Sequence, residues 1–376
     1  MAKDFIPSTH PLTPPLTEEE WLHWLRLLRS RRVGISTFFR LLGEHETAEA
    51  ALAALPGVAA EAGIEDYEPA SRDDALREWE AARMAGVTPI AHGSAEYPPA
   101  LMDIPDPPPI LWALGDTTLL QAPTLAIVGA RNASSLGTRT ARKLATDLGS
   151  HGFTISSGLA RGVDTVAHIA SLDTGTIAVM AGGVDVVYPT ENAVLAQEIQ
   201  EKGLRISEMP IHQRPHARHF PRRNRLVSGL AQATIVIEAA AKSGSLITTT
   251  YALEQGRDVM AVPGHPFDAR AAGCNNLIRD GAVLVRSAKD VIEALERPAQ
   301  RSQKAPPTSA PTPAVPADIK ALHAQILDRI GPSPVPEDDV IRDLKIAAQT
   351  LLPEIAALEL SGEIIRDAGG LLRRKS

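Results

Sequence analysis

The densest concentration of chemistry lies in IHQRPHARHFPRRNRLVSG, from Ile211 to Gly229. There Arg214, Arg218, Arg222, Arg223 and Arg225 fall within twelve residues, and His212, His216 and His219 interleave. Guanidiniums at this density give a local positive field, and their planar forks match phosphate oxygens. Two or three of the five are expected to touch a ligand, the rest to brace the loop through buried hydrogen bonds. Single basic residues recur beside glycines and hydroxyls: Arg131 in AIVGARNASSLG, Arg161 in SSGLARGVDTVAH and Lys242 in EAAAKSGSLITTT. The plain alternatives are an Arg131 paired with a local carboxylate and a Lys242 on a solvated loop. Asp164 and His168, four apart, have the spacing of an acid and base, but a helix-capping Asp beside a packed His is favoured. No arrangement of nucleophile and base stands out.

Positioning these residues requires strands that end where they begin. Leu125 to Val128 is a short apolar run suited to a parallel strand buried on both faces. Gly129 turns the chain, Ser134 or Ser135 caps a helix, and Ala141, Leu144, Ala145 and Leu148 recur at helical spacing. A strand feeding a helix N-terminus aims unpaired N–H groups and a positive dipole end at one spot, which favours anions. The step Lys242-Ser243-Gly244-Ser245 repeats that arrangement after the strand Thr234 to Ile237. A dinucleotide fingerprint would need a second glycine where Arg131 stands and an acidic residue where Gly158 follows the next strand, so an NAD site is not expected.

Seven strand candidates begin near Leu125, Phe153, Thr176, Leu204, Thr234, Val259 and Val283, mostly separated by helical stretches, the pattern of a doubly wound α/β sheet. Ligands bind outside the carboxyl ends of such strands. The expected organisation is a flexible segment 1–16, a small helical domain 17–86, a Rossmann-like domain 87–297 with a proline-rich lead-in, a Pro/Ala-rich linker 298–317 and a winged helix 318–376. The helical domain, with short helices Thr37 to Leu42 and Ala48 to Leu55, resembles a helix-hairpin-helix (SAM-like) bundle only faintly and is taken as structural. The lead-in Thr88 to Asp116 is expected as an extended strap packed on the sheet. In the winged helix, the segment Ala347 to Leu360 carries Glu354 and Glu359, no Lys or Arg, and Gln349 as its amide, which disfavours a duplex-reading helix. Its Leu351, Ile355 and Leu358 are expected in the module's own core.

The chain has 376 residues, 44% hydrophobic and 22% charged, as in ordinary globular proteins, and a formal charge of -7. Any nucleic-acid role therefore rests on a local basic patch. The single cysteine, Cys274, excludes an intramolecular disulfide and fits a reducing compartment. With no apolar run of membrane-spanning length and no apolar signal core at the start, a cytoplasmic protein without membrane insertion is expected.

The stretches AIVGARNASSLG, ISSGLARGVDTVAH, GTIAVMAGGVDVVYPTEN, SEMP, FPRRNRLVSGL, EAAAKSGSLITT, AVPG and GCNNLIRDGA, in this order from Leu125 to about Leu295, closely resemble the DNA processing protein A (DprA/Smf) family. The resemblance implies an extended Rossmann-like fold, usually dimeric through that domain, with helical and winged-helix flanks. It implies a protein that binds single-stranded DNA and loads the RecA recombinase onto it during natural transformation, without catalysis or cofactor. The phosphate-binding positions it implies are Gly129, Arg131, Ser134, Arg161, the arginines Arg222, Arg223 and Arg225, and Lys242, Ser243, Gly244 and Ser245. Ala130 stands where many members have Ser. The alternative is a lysine-decarboxylase-like phosphoribohydrolase, whose catalytic Glu has no counterpart in SGSLITTT.

Overall fold

A computed structural model describes residues 13–296 without interruption and, in the C-terminal part, 319–330, 335–344, 346, 351, 354–355, 357–359, 363–367 and 371–374. The chain forms two compact units, 1–297 and 298–376. The Pro/Ala-rich linker, Gln349 and most of the expected flexible start lie outside the described residues.

The first unit opens with four helices, α1 Glu18–Arg29, α2 Ile35–His45, α3 Ala48–Glu61 and α4 Arg72–Met84. A capping box sets the start of α1: Thr17 Oγ1 accepts from the Glu20 N–H, and Glu20 accepts from the Thr17 N–H at 2.8 Å. Leu22, Leu25, Phe38, Leu41, Ala51 and Leu55 bury the inner faces. The expected stop at Leu55-Pro56 is not one, because α3 runs through Pro56 to Glu61. Proline removes one i to i−4 bond there, and the buried Leu52, Leu55 and Ala59 hold the helix together across the gap.

The proline-rich lead-in does not lie on the sheet as a strap; it joins it. Strand β1 (Thr88–Ala91) pairs antiparallel with β2 (Ile110–Gly115), with the short helix α5 (Pro99–Met102) between them. Pro89 is tolerated because β1 is the outermost strand. Then follow β3 Thr124–Val128, α6 Ser135–Ser150, β4 Thr154–Ser157, α7 Val163–Ser171, β5 Thr176–Val179, α8 Ala193–Lys202, β6 Leu204–Ser207, α9 His219–Gly229, β7 Ala233–Val236, α10 Ser245–Glu254, β8 Asp258–Ala261, α11 Ala272–Arg279, β9 Val283–Leu284 and α12 Ala288–Glu296.

The nine strands lie in the order β1-β2-β6-β5-β4-β3-β7-β8-β9, and the seven from β6 to β9 are parallel. The fold is thus an extended Rossmann-like, mostly parallel sheet with helices on both faces. From β3 the chain steps out through β4, β5 and β6, then returns to the other side of β3 with β7. The crevice between the carboxyl ends of β3 and β7 is the topological switch point where such folds take ligands.

The second unit is a winged helix built on α13 Ile319–Arg329, α14 Glu337–Leu344 and a small sheet of β10 Val335–Pro336, β11 Ile364–Asp367 and β12 Leu371–Arg374, ordered β10-β12-β11. Leu351, Ile355 and Leu358 are buried with Leu322, Ile326, Val340, Ile364 and Leu372 in its core.

Candidate nucleic-acid interface

The carboxyl ends of β3, β4 and β7 enclose an open cleft of about 740 Å3, lined among others by Gly129, Arg131, Asn132, Phe220, Ser243, Ser245 and Arg270. Its floor is backbone at close quarters. At Gly129 a methyl would stand 2.7 Å from Val163 Cγ2 and 3.1 Å from the Glu238 carbonyl oxygen, so only glycine lets β3 turn there. Arg131 follows on the rim. Its side chain is exposed, has no carboxylate partner among the described residues, and lies over the Phe220 ring at 5.6 Å. The ring face attracts the cation, and none of the guanidinium donors makes a hydrogen bond among the described residues.

Ser134 departs from expectation. It caps α6 by accepting from the Gly137 N–H at 3.0 Å, but its own N–H donates to Glu238 Oε2 at 2.9 Å and its hydroxyl donates to Glu238 Oε1. The anion at this helix end is already a side chain of the protein, so Ser134 is no open phosphate donor.

The second loop, Gly158 to Gly162, is held from below. Asp164 accepts from the N–H groups of Gly158 at 3.1 Å and Ala160 at 3.3 Å, while Gly162 occupies the N-cap of α7. Asp164 therefore caps the loop rather than the helix. His168 Nε2 accepts from the Leu159 N–H at 3.3 Å, and its Nδ1 lies 2.7 Å from Thr176 Oγ1. Burial keeps this imidazole neutral, its pKa pushed down to about 3, and burial also raises the Asp164 carboxyl against the pull of Arg223. A buried histidine with both ring nitrogens engaged packs the loop and does no acid–base work.

The arginines divide. Arg223 is buried and donates to the carbonyls of Gly158 and Val179, tying β4 to β5. Burial lowers its pKa to about 10 despite Asp164 nearby. Arg225, equally buried, pairs with Asp106 at 3.0 Å and with Glu208 at 2.5 Å, fastening the lead-in to the end of β6. These two of the expected contacts are braces: α9 turns them under the sheet end and leaves Arg214, Arg218 and Arg222 exposed. Arg222 leans on Glu208 at 2.9 Å with about half its side chain in solvent, and Arg161 pairs with Glu191 on the surface. The Arg161–Glu191 pair is exposed on both sides and is worth about 0–1 kcal/mol, so a phosphate can compete for Arg161, whereas Arg222 is held by a buried Glu208.

Across the cleft, the hydroxyls of Ser243 and Ser245 lie 2.7 Å apart at the start of α10, and Lys242, next to Ser243 in the chain, is exposed. A methyl on Gly244 would meet nothing within 4 Å, so packing does not require glycine there; the absent side chain keeps the rim open.

A side pocket of about 190 Å3 adjoins the cleft, with Arg131, Arg161, Tyr188 and Phe220 in its wall. The rings of Tyr188 and Phe220 are 5.6 Å apart. The sequence does not reveal this aromatic rim, because Tyr188 and Phe220 stand 32 residues apart and meet only in the fold. The only local signal was Phe220 at the head of FPRRNR. Asn132, Arg270 and Glu238 were missed as well.

Comparison with known proteins agrees with this geometry. Residues 88–296 match the model for DNA recombination-mediator protein A, 18–81 that for the DprA-like N-terminal HHH domain, and 305–370 that for the DprA winged helix domain. The chain is 37% identical over 287 residues to Protein Smf of Escherichia coli, spanning 76% of each. It is 44% identical over 216 residues to DNA processing protein DprA of Bacillus subtilis, 57% of this chain and 73% of that one. Among solved structures, DprA of Streptococcus pneumoniae superposes with a TM-score of 0.61 at 33% identity, over 72% of this chain and 97% of that one. A structure of Helicobacter pylori DNA processing protein A, described as showing its single-stranded DNA binding mode, gives 0.52 at 31% identity, over 56% and 95%. The first of these matches alone spans more than half of the chain, and the protein belongs to the DNA recombination-mediator protein A (DprA/Smf) family.

Proposed function

We propose that this protein binds single-stranded DNA in the cleft between β3 and β7 and delivers it to the RecA recombinase in natural transformation, acting as a cytoplasmic homodimer through its Rossmann-like domain. One observation carries the binding reading: Arg131, without a carboxylate partner among the described residues and laid over Phe220, shares an open cleft at the switch point with Ser243, Gly244 and Ser245. Exposed guanidinium, ammonium and hydroxyl donors suit a phosphodiester backbone, and the Tyr188–Phe220 rim offers a face for a base. The Helicobacter pylori relative supports the choice of nucleic acid. We assign the contacts to Gly129, Arg131, Lys242, Ser243, Gly244 and Ser245, with Arg161 joining when its surface pair with Glu191 opens and Arg222 offering the exposed half of its side chain. Ser134, Arg223 and Arg225 hold the wall in place.

The role is binding, not turnover, since the acid–base candidates Asp164 and His168 are spent on the Gly158–Gly162 loop. A phosphoribohydrolase would release base from nucleoside monophosphates, and that assay is expected to be negative. Titration against single- and double-stranded oligonucleotides of equal length across a salt series tests the proposal. The single strand is expected to bind more tightly, with a log–log salt slope of roughly -2 to -3.5 for three to five phosphates at about -0.7 each. A flat salt response sinks it.

A further inference from the structure

The N-terminus of α6 is where a Rossmann-like fold ordinarily receives the phosphates of a nucleotide. In this protein a carboxylate is built into that place. Glu238, two residues past the end of β7, accepts both the N–H and the hydroxyl of Ser134. The helix is cut back to receive it: Gly137 lies in the first turn of α6, and a methyl there would stand 2.6 and 2.7 Å from the two carboxylate oxygens. Glycine is a poor helix former, so its use in this turn follows from the carboxylate it admits. Gly137 thus makes room for the Glu238 carboxylate, while Gly129 lies against the backbone carbonyl of the same residue.

We infer that Glu238 is a resident substitute for phosphate that closes the nucleotide pocket of this fold to free nucleoside phosphates and confines a DNA strand to the outer rim of Arg131 and Lys242–Ser245. The inference rests on the cleft being the strand-binding face. A free nucleotide depends on the helix-end donors, because it has few other charges to anchor. Here it meets a carboxylate on those same donors and is repelled by it. A polymer makes several outer contacts at once and does not need that position. Glu238 is therefore a specificity residue: cellular nucleotides do not compete for the cleft, while single strands enter it.

Calorimetric titration of the full chain with ADP, beside fluorescence titration with an oligothymidylate, tests this. Wild type is expected to give no ADP binding at millimolar concentration. Glu238→Ala empties the slot and is expected to bind ADP at least roughly tenfold more tightly than wild type, a difference of about 1.4 kcal/mol. Glu238→Gln keeps the shape and the bond to the Ser134 N–H, so it still occupies the helix-end donors and excludes ADP, while its oligothymidylate Kd tightens roughly two- to fivefold because one negative charge beside the strand is gone. Uptake of ADP by wild type, or refusal of ADP by folded Glu238→Ala, overturns the inference. Should Glu238→Ala fail to fold, Glu238→Gln decides, and an unchanged oligothymidylate affinity overturns it. A wild type that binds no oligothymidylate defeats the DNA-binding proposal, while the ADP comparison still reports on Glu238.

Discussion

Replacing Arg131 and Arg223 separately by alanine should produce opposite phenotypes, although the two belong to one set of phosphate-binding positions in the family pattern. Arg131 is exposed, and its contact within the protein is the face of Phe220, worth about 0.5–1 kcal/mol at an exposed site. Losing it costs little stability. If it clamps a phosphate, Arg131→Ala removes a charge-assisted contact of roughly 1–3 kcal/mol, a five- to 150-fold rise in Kd, and the salt slope becomes shallower by about 0.7. Arg223 is buried, donates to the carbonyls of Gly158 and Val179, and is the charge that offsets buried Asp164. Its removal leaves an uncompensated buried charge, typically about 3–5 kcal/mol. For a domain of this size that lowers Tm by roughly 6–20 °C. Differential scanning calorimetry with fluorescence anisotropy on a labelled oligothymidylate at three salt concentrations separates the two. If Arg131→Ala lowers Tm sharply while affinity per folded molecule is kept, or Arg223→Ala keeps its Tm while losing DNA, the division into contact and brace is wrong.

Lys242→Ala should weaken the same oligonucleotide by roughly 1–3 kcal/mol without a shift in Tm, and an unchanged Kd would return Lys242 to a solvated loop. The neutral burial of His168 makes stability depend on pH. Its folded pKa of about 3 lies below the ordinary value of 6.5, so the contribution is complete above about pH 6.5 and is lost as pH falls toward 3. In that window wild type should lose up to about 1.4 kcal/mol per pH unit from this group, and His168→Gln should show a flatter dependence in urea titrations at pH 7 and pH 5. Equal slopes for the two proteins would refute it. Truncation near Pro298 should keep single-strand affinity within about 1 kcal/mol of the full chain, because Leu351, Ile355 and Leu358 are spent on the winged helix's own core and the helix carrying them is acidic; loss of most binding would make that module a DNA reader.

Local pattern was enough to find the strands and helices that follow Leu125. The short apolar runs near Leu125 and Thr176 each became a parallel strand, since a strand buried on both faces is apolar along most of its length. Ser134 marked a helix start, and the arginines between Ile211 and Gly229 marked the electropositive segment, since charge density is a property of composition. What a side chain does there was decided by contacts distant along the chain. Arg223 and Arg225 are braces because Gly158, Val179 and Asp106 come up beneath α9, and no window of twelve residues contains those partners. Glu238 reaches the α6 N-terminus from 104 residues away, which turned an expected phosphate donor into an internal bond. The lead-in became two strands because β6 presented an open edge with unpaired backbone groups, a demand that exists only once the sheet has formed. Periodicity and capping are short-range and are written in neighbouring residues. Burial and pairing depend on which ends of the chain the sheet brings together, and for this protein that choice separates the residues free to meet a ligand from those that hold its wall.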